Sequence, residues 1–326
     1  MRIAINGMGR IGRLLFKLLS AKDEHEVVAV NDLMDGDNLL YLLKYDSISG
    51  TYDKKISIDG GCILQGDRKI KILNEPDPKR LPWKDLKVDV VVECTGKFTS
   101  FSLAEKHLQA GAAQVVLSTT GSPDIPFIIR GVNDQELAVN HSIISPGGCM
   151  TNCSAVILCP LVRKFGVNAA QLNIIHSYTT RQLLQDGPHK NFRRGRASAV
   201  SIIPVEIDLA ETLERLIPEL TRKITATSTR VPIPCGALAD FYIDLNREVS
   251  EGEINRFYQT LSLNEMKGIL GYNMDPIVSS DIIGNPHSCI FDSTLTSVVG
   301  SHVKISAWFD NEFGYANRLV EIIDRI

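Results

Sequence analysis

Apolar residues follow two rhythms along the first 148 positions. Short Ile- and Val-rich runs at 2–6, 26–31, 88–93, 114–118, 127–130 and 142–145 have the length and β-branched content of buried strands. Between them, 10–20, 37–44 and 101–110 carry the apolar spacing of amphipathic helices. Alternation of this kind predicts an α/β domain over residues 1–148, built on a doubly wound, mostly parallel sheet of the Rossmann type. Past Cys153 the rhythm changes. Residues 153–165 and 206–216 read as helices, 171–178 and 224–245 as longer alternating strands, and 288–309 as two more. These predict an α+β domain over 149–313 with a largely antiparallel sheet. Residues 314–326 form a last amphipathic helix, expected to pack back on the first domain. Segment 180–200 follows neither rhythm, and a loop of that length is usually functional.

Bulk properties narrow the class. A chain of 326 residues has room for two domains and a large core. The net charge of −3 gives no overall attraction to nucleic acid or to an anionic membrane. No stretch approaches the ~20 apolar residues of a membrane span, and Arg2 with the Gly-rich turn after it interrupts any leader-like run. Seven Cys without C-x-x-C pairs oppose a disulfide framework or a structural zinc site, and no His or Cys pair has metal-ligand spacing. The expectation is a cytoplasmic protein with reduced thiols and no metal.

The first chemical signal is Ile5-Asn6-Gly7-Met8-Gly9-Arg10-Ile11-Gly12-Arg13. A short strand enters G-x-G-x-x-G and a helix leaves it. Gly7 allows the tight turn, Gly9 lets backbone approach a pyrophosphate, and Gly12 packs helix on strand. The pyrophosphate would sit at the helix N-terminus. The next strand ends in Asp32, placed to bind ribose hydroxyls and to repel a 2′-phosphate, which favours NAD over NADP. The turns Cys94-Thr95-Gly96 and Ser118-Thr119-Thr120-Gly121 end further strands, where ligands of such sheets lie. Ordinary turn chemistry accounts for them equally well.

The second signal is Gly147-Gly148-Cys149-Met150-Thr151-Asn152-Cys153, followed at a distance by His176. A thiol at a helix N-terminus feels the positive end of the dipole, which favours the thiolate. A His folded beside it would shuttle protons. Cys153, one turn later, reads as structural, and the other cysteines as packing residues.

Together these segments resemble the phosphorylating glyceraldehyde-3-phosphate dehydrogenase family, which includes the related erythrose-4-phosphate dehydrogenases. The likeness runs nearly end to end. Besides the two motifs above it takes in Tyr45-Asp46-Ser47, Glu93-Cys94-Thr95-Gly96, His176-Ser177-Tyr178-Thr179, Ile202-Ile203-Pro204, Thr229-Arg230-Val231-Pro232 and Trp308-Phe309-Asp310-Asn311-Glu312. The resemblance implies NAD-dependent oxidation of a small phosphorylated aldehyde, glyceraldehyde 3-phosphate ahead of erythrose 4-phosphate. It gives Cys149 the role of nucleophile and His176 that of acid/base. It gives Asn311 the nicotinamide carboxamide, and Thr179 and Arg230 the substrate phosphate. It implies a homotetramer in which segment 180–200 reaches a neighbouring subunit.

The departures from the family cluster in one place. Gly148 and Met150 stand where the family usually has Ser and Thr around the nucleophile. Ile207 and Asp208 stand where a Thr-Gly pair helps to bind inorganic phosphate, and Arg181 replaces an acid. The oxidative half of the chemistry is intact and the acyl-acceptor half is altered. This predicts slow phosphorolysis, release of the thioester to water, or a different aldehyde. A non-catalytic binding or redox-sensing paralogue is the reading from another class, which retention of both Cys149 and His176 opposes. Nucleic-acid binding through Arg193, Arg194 and Arg196 is opposed by the short run and negative net charge.

Overall fold

The structure is a computed structural model that describes residues 1–326. The chain divides into two compact units, Met1–Gly148 with Ala316–Ile326, and Cys149–Tyr315.

The first unit begins β1 (Arg2–Asn6), α1 (Arg10–Ser20), β2 (Glu26–Asn31) and α2 (Gly36–Lys44). A small ribbon follows, β3 (Tyr45–Asp46) with β4 (Gly50–Thr51). Then come β5 (Ser57–Asp59), β6 (Cys62–Gln65), β7 (Arg68–Leu73), β8 (Val90–Glu93), α3 (Phe101–Gln109), β9 (Gln114–Leu117) and β10 (Ile143–Ile144). The sheet order is β10-β9-β8-β1-β2-β7-β6-β5. It is parallel from β10 to β7 and antiparallel over the last two pairings. Ile3, Ala4, Ile5, Val91 and Val92 are fully buried, which explains the unbroken apolar runs: both faces of these strands are covered.

Several expectations need correction. Residues 127–130 make no strand, only the bridge of Phe127 to Ser145. The meander β5–β7 follows none of the runs in the sequence reading, because in β7 exposed Lys69 and Lys71 alternate with Ile70 and Ile72 and break any continuous apolar run.

The second unit holds α4 (Cys149–Phe165), β11 (Val167–Ser177), β12 (Ile203–Val205), α5 (Leu209–Leu216), β13 (Ile224–Val231) and β14 (Ala237–Leu245). It continues with α6 (Glu251–Leu263), β15 (Leu270–Asn273), β16 (Cys289–Asp292), β17 (Ser297–Val299) and β18 (His302–Phe309). Its sheet runs β12-β13-β11-β14-β18-β16-β15, with β17 on β18. Only β11–β13 and β15–β16 are parallel pairs. Residues 288–309 thus hold three strands, not two. The missed helix α6 has a legible start, since the Ser250 hydroxyl accepts from the Glu253 amide at 3.2 Å.

The helix α7 (Phe313–Ile323) starts where the Asp310 carboxylate accepts the amides of Glu312 and Phe313, each at 2.8 Å. Within the first unit its far end is tied by Asp324, which pairs with Lys22 at 2.5 Å and His25 at 2.6 Å. No helix is long and apolar enough to cross a membrane.

Candidate active site

In the first unit, a cleft of about 290 Å³ opens at the carboxyl ends of β1, β2 and β8, lined among others by Gly7, Gly9, Asp32, Thr95 and Phe98. Local sterics explain the glycine spacing. A Cβ on Gly12 would lie 2.0 Å from the Gly7 carbonyl oxygen, so only glycine lets α1 lie this close to the turn. A Cβ on Gly9 would meet nothing within 4 Å, so the protein itself leaves room there. Gly9 also caps α1 without a side chain, and the first turn carries no acid. The helix N-terminus is therefore open to an anion. The Asp32 carboxylate accepts the Met8 amide at 2.6 Å and the Met34 amide at 3.0 Å, which fixes it beside the turn. These features fit a dinucleotide.

Glu93 shapes the opposite lip. It is 1% exposed, and its carboxylate accepts the Thr95 amide at 2.7 Å and the Asn6 amide group at 2.5 Å. Trp83 donates to His107 Nδ1 at 3.0 Å, which leaves the proton on Nε2 to be donated to Glu93 at 3.2 Å. Of the other expected cofactor residues, Arg10 turns to an ion pair with Asp46, and Ile11 lies in the first turn of α1. Gly96 and Ser118 do not line the cleft.

The second unit holds the thiol. Helix α4 begins at Cys149 itself, four residues earlier than the sequence pattern indicates, so the thiol occupies the first helical position. Upstream, Gly147 turns the chain at φ +70°. His176 ends β11, and its Nε2 lies 3.8 Å from Cys149 Sγ. The imidazole Nδ1–H donates to the Ser177 carbonyl at 2.7 Å, which leaves the Nε2 lone pair facing the sulfur. Phe309 packs edge-on against the ring, with centroids 5.9 Å apart.

Burial sets the protonation of the pair. It pushes the Cys149 thiol up to about 11, against the pull of the Arg230 guanidinium and of the Met150 and Cys149 amides. It holds the His176 imidazole down to about 3, helped by the positive charge of Arg230. The resting pair is thus a neutral thiol beside a neutral base, with Arg230 placed to favour negative charge on sulfur as it develops.

Arg230 lies in β13, whose parallel pairing places it opposite His176. It is 6% exposed and donates through Nη1 to the Ser177 carbonyl at 3.3 Å, while its Nε has no partner. It lines a cleft of about 510 Å³ with Met150, Arg181, Arg194 and the segment 206–208. The antiparallel pairing of β12 with β13, Ile203 opposite Arg230, brings that segment here. Glu211 also lines the cleft and was not anticipated. Thr179 does not line it: its amide and hydroxyl donate to Gln182 Oε1 at 2.9 and 3.0 Å. Asn311 is buried, with Oδ1 accepting from the Gly236 amide at 2.9 Å and the Ser177 hydroxyl at 3.1 Å. Sequence reasoning missed Ser177 as the residue that orients both His176 and Asn311. Its neighbour His176 was the only signal.

A Rossmann-type sheet with an open Gly-rich turn, joined to a unit carrying a thiol–imidazole pair, is the architecture of an NAD-dependent dehydrogenase. Residues 1–101 match the NAD-binding domain of glyceraldehyde 3-phosphate dehydrogenase, and residues 148–311 match its C-terminal domain. A glyceraldehyde-3-phosphate dehydrogenase of Mycobacterium leprae is 44% identical over 99% of this chain and 97% of its own length. Glyceraldehyde-3-phosphate dehydrogenase 2 of Streptomyces arenae is 42% identical over 98% of this chain and 97% of its own. The chain belongs to the glyceraldehyde-3-phosphate dehydrogenase family.

Proposed function

We propose that this protein oxidises glyceraldehyde 3-phosphate with NAD through a covalent Cys149 intermediate. The observation that carries this reading is the 3.8 Å approach of His176 Nε2 to Cys149 Sγ with the tautomer fixed by Ser177. Family membership favours this substrate over erythrose 4-phosphate, and the preserved pair argues against a non-catalytic paralogue.

His176 Nε2 takes the thiol proton as Sγ adds to the aldehyde carbon and passes it to the developing alkoxide, which gives a thiohemiacetal on Cys149 and returns Nε2 to its neutral form. The α4 N-terminus and Arg230 favour the charge that passes through sulfur. The same Nε2 then accepts the proton of the thiohemiacetal hydroxyl as the carbon is oxidised. Bound NAD supplies the hydride acceptor. A thioester remains on Cys149, and an acceptor must release it. In this reading Gly7, Gly9, Arg10, Ile11, Gly12, Asp32, Thr95, Gly96, Ser118 and Asn311 serve the cofactor. Gly148, Met150, Thr179, Arg181 and Arg230 serve the substrate and acceptor.

We also assign a homotetramer in the cytoplasm. Leu184, Phe192, Val200 and Ile202 are 66–89% exposed on segment 180–202, an apolar surface suited to burial against another copy. Sedimentation velocity on the purified protein tests it; a monomer would refute the assembly.

The test of the function is NADH formation with glyceraldehyde 3-phosphate or erythrose 4-phosphate, each with and without inorganic phosphate, beside Cys149→Ser. Faster turnover of glyceraldehyde 3-phosphate, abolished in the variant, supports the reading. No reduction with either sugar overturns it.

A further inference from the structure

Beneath the dinucleotide cleft of the first unit runs one hydrogen-bonded network of buried side chains. Trp83 and His107 are fully buried, and Glu93, Asn6 and Asn31 are nearly so. Each polar atom of these side chains has a partner. A buried polar cluster completed in this way is rigid.

Glu93 is its hub. One carboxylate oxygen accepts the amide and the hydroxyl of Thr95, and the other accepts from the Asn6 amide group and from His107 Nε2. Asn6 carries the connection onward, since its Oδ1 accepts Asn31 Nδ2 at 2.7 Å. Asn31 then brackets Glu75, donating to its carbonyl and accepting its amide, each at 2.9 Å. Asn6, Asn31, Glu75 and Thr95 all line the cleft. The Thr95 turn also packs on the Gly-rich turn: a Cβ on Gly7 would lie 2.7 Å from the Thr95 nitrogen. A displacement of Glu93 would therefore be felt on several sides of the cleft.

His107 stands behind this hub and does not itself line the cleft. It lies on the buried face of α3, where an apolar residue would serve packing alone. Its ring meets Phe98, which does line the cleft, edge-on with centroids 6.1 Å apart. What imidazole adds is one acceptor and one donor on a single rigid ring. An indole N–H can only donate, so Trp83 fixes His107 Nδ1 as the acceptor. That leaves the ring neutral and its proton on Nε2, aimed at Glu93. The other tautomer would turn a lone pair towards the carboxylate.

The lining tells which part of the cofactor this network serves. Asp32 is the ribose-binding acid of the fingerprint, and Leu33, Pro76 and Phe98 give the cleft apolar walls suited to a flat base.

We propose that His107 is a positioning residue for the adenosine half of NAD. Locked by Trp83, it holds Glu93, and Glu93 sets Thr95 and Asn6 in the cleft. The inference rests on the reading that this cleft takes the adenosine half.

The test uses the full-length protein with His107→Phe, which keeps a ring and loses both bonds, and His107→Gln, whose amide can accept from Trp83 and donate to Glu93. A third variant, Trp83→Phe, releases the tautomer. Isothermal titration calorimetry measures NAD and, separately, ADP-ribose, which lacks the nicotinamide. His107→Phe is expected to raise both dissociation constants roughly tenfold, and His107→Gln to recover most of that loss. Trp83→Phe should weaken both ligands in the same direction. The KM for NAD should rise with the dissociation constant, while kcat at saturating NAD and the KM for glyceraldehyde 3-phosphate change less than about twofold. A merely structural role would lower Tm without this split and without rescue by Gln. His107-dependent ADP-ribose binding without aldehyde oxidation would uphold the positioning role while refuting the dehydrogenase reading. Unchanged ADP-ribose affinity in His107→Phe or, where that variant does not fold, in Trp83→Phe would overturn the proposal.

Discussion

His176 presents a deprotonated Nε2 to Cys149 at 3.8 Å because Ser177, the next residue in the same strand, holds the Nδ1 proton at 2.7 Å. The base is built into the end of β11 and needs no carboxylate partner. Its readiness comes from burial, which keeps it neutral.

That neutrality predicts a pH dependence. A His held down to about 3 stays unprotonated, and competent as a base, throughout the range where a free imidazole would titrate. The single-turnover rate of NADH formation should show no acid inflection near pH ~6.5, the ordinary His value. His176→Asn should lower that rate by about 10²–10⁴-fold with little change in substrate KM. An inflection near the ordinary value that disappears in His176→Asn would contradict the assignment.

The glycines of the turn separate stability from binding. Gly12→Ala places a Cβ against the Gly7 carbonyl and should lower both Tm and NAD affinity. Gly9→Ala meets no protein atom, so its Tm should stay near wild type. Its NAD dissociation constant should still rise, by about tenfold or more, because the added methyl takes ligand space. Thermal melts beside NAD titrations check both, and equal losses of Tm would remove the distinction.

Asp32 is expected to choose the cofactor. Asp32→Asn removes the charge that repels a 2′-phosphate and weakens the bond to the Met8 amide. The NAD-to-NADP ratio of kcat/KM should fall by about tenfold or more, chiefly by loss of NAD activity. An unchanged ratio would place cofactor choice elsewhere.

Asp46 predicts behaviour in acid. Burial pushes its carboxyl up, but the Ser49 amide, the Arg10 guanidinium and the Ile48 amide together hold it well below its usual value. A depressed carboxyl stabilises the fold above its unfolded pKa of about 4, and that contribution is lost as pH falls through the folded value. Asp46→Asn should therefore lower Tm near neutrality and show a smaller further drop between about pH 5 and pH 3 than wild type. Parallel Tm–pH curves would refute the linkage.

Much of this was legible in sequence because it is local. The G-x-G-x-x-G turn, Asp32 at the next strand end, and a thiol just after a Gly pair each lie within a few residues of the structure that explains them. His176 was legible through its resemblance to a family, not through spacing. What was hidden depends on strand order. The spacing of 179–182, 192–196 and 206–211 does not itself bring Arg181, Arg194 and Asp208 to one cleft with Arg230; for Arg181 and Asp208 only the family resemblance does. The pairings of β12 on β13 and of β13 on β11 bring them there. The start of α4 was read late because Cys149-Met150-Thr151-Asn152 lacks a strong helix-forming residue except Met150. The sequence thus places the thiol just before the helix, and the structure makes it the first helical residue.

The central claim is covalent chemistry at Cys149, and a single-turnover burst tests it most directly. Enzyme with excess NAD is mixed with glyceraldehyde 3-phosphate without inorganic phosphate, quenched in acid and analysed by intact and peptide mass spectrometry. The account predicts a burst approaching one NADH per active site, with the acyl group on the peptide carrying Cys149 and neither signal in Cys149→Ser. NADH formation that persists in Cys149→Ser, or an acyl group on another residue, would contradict it.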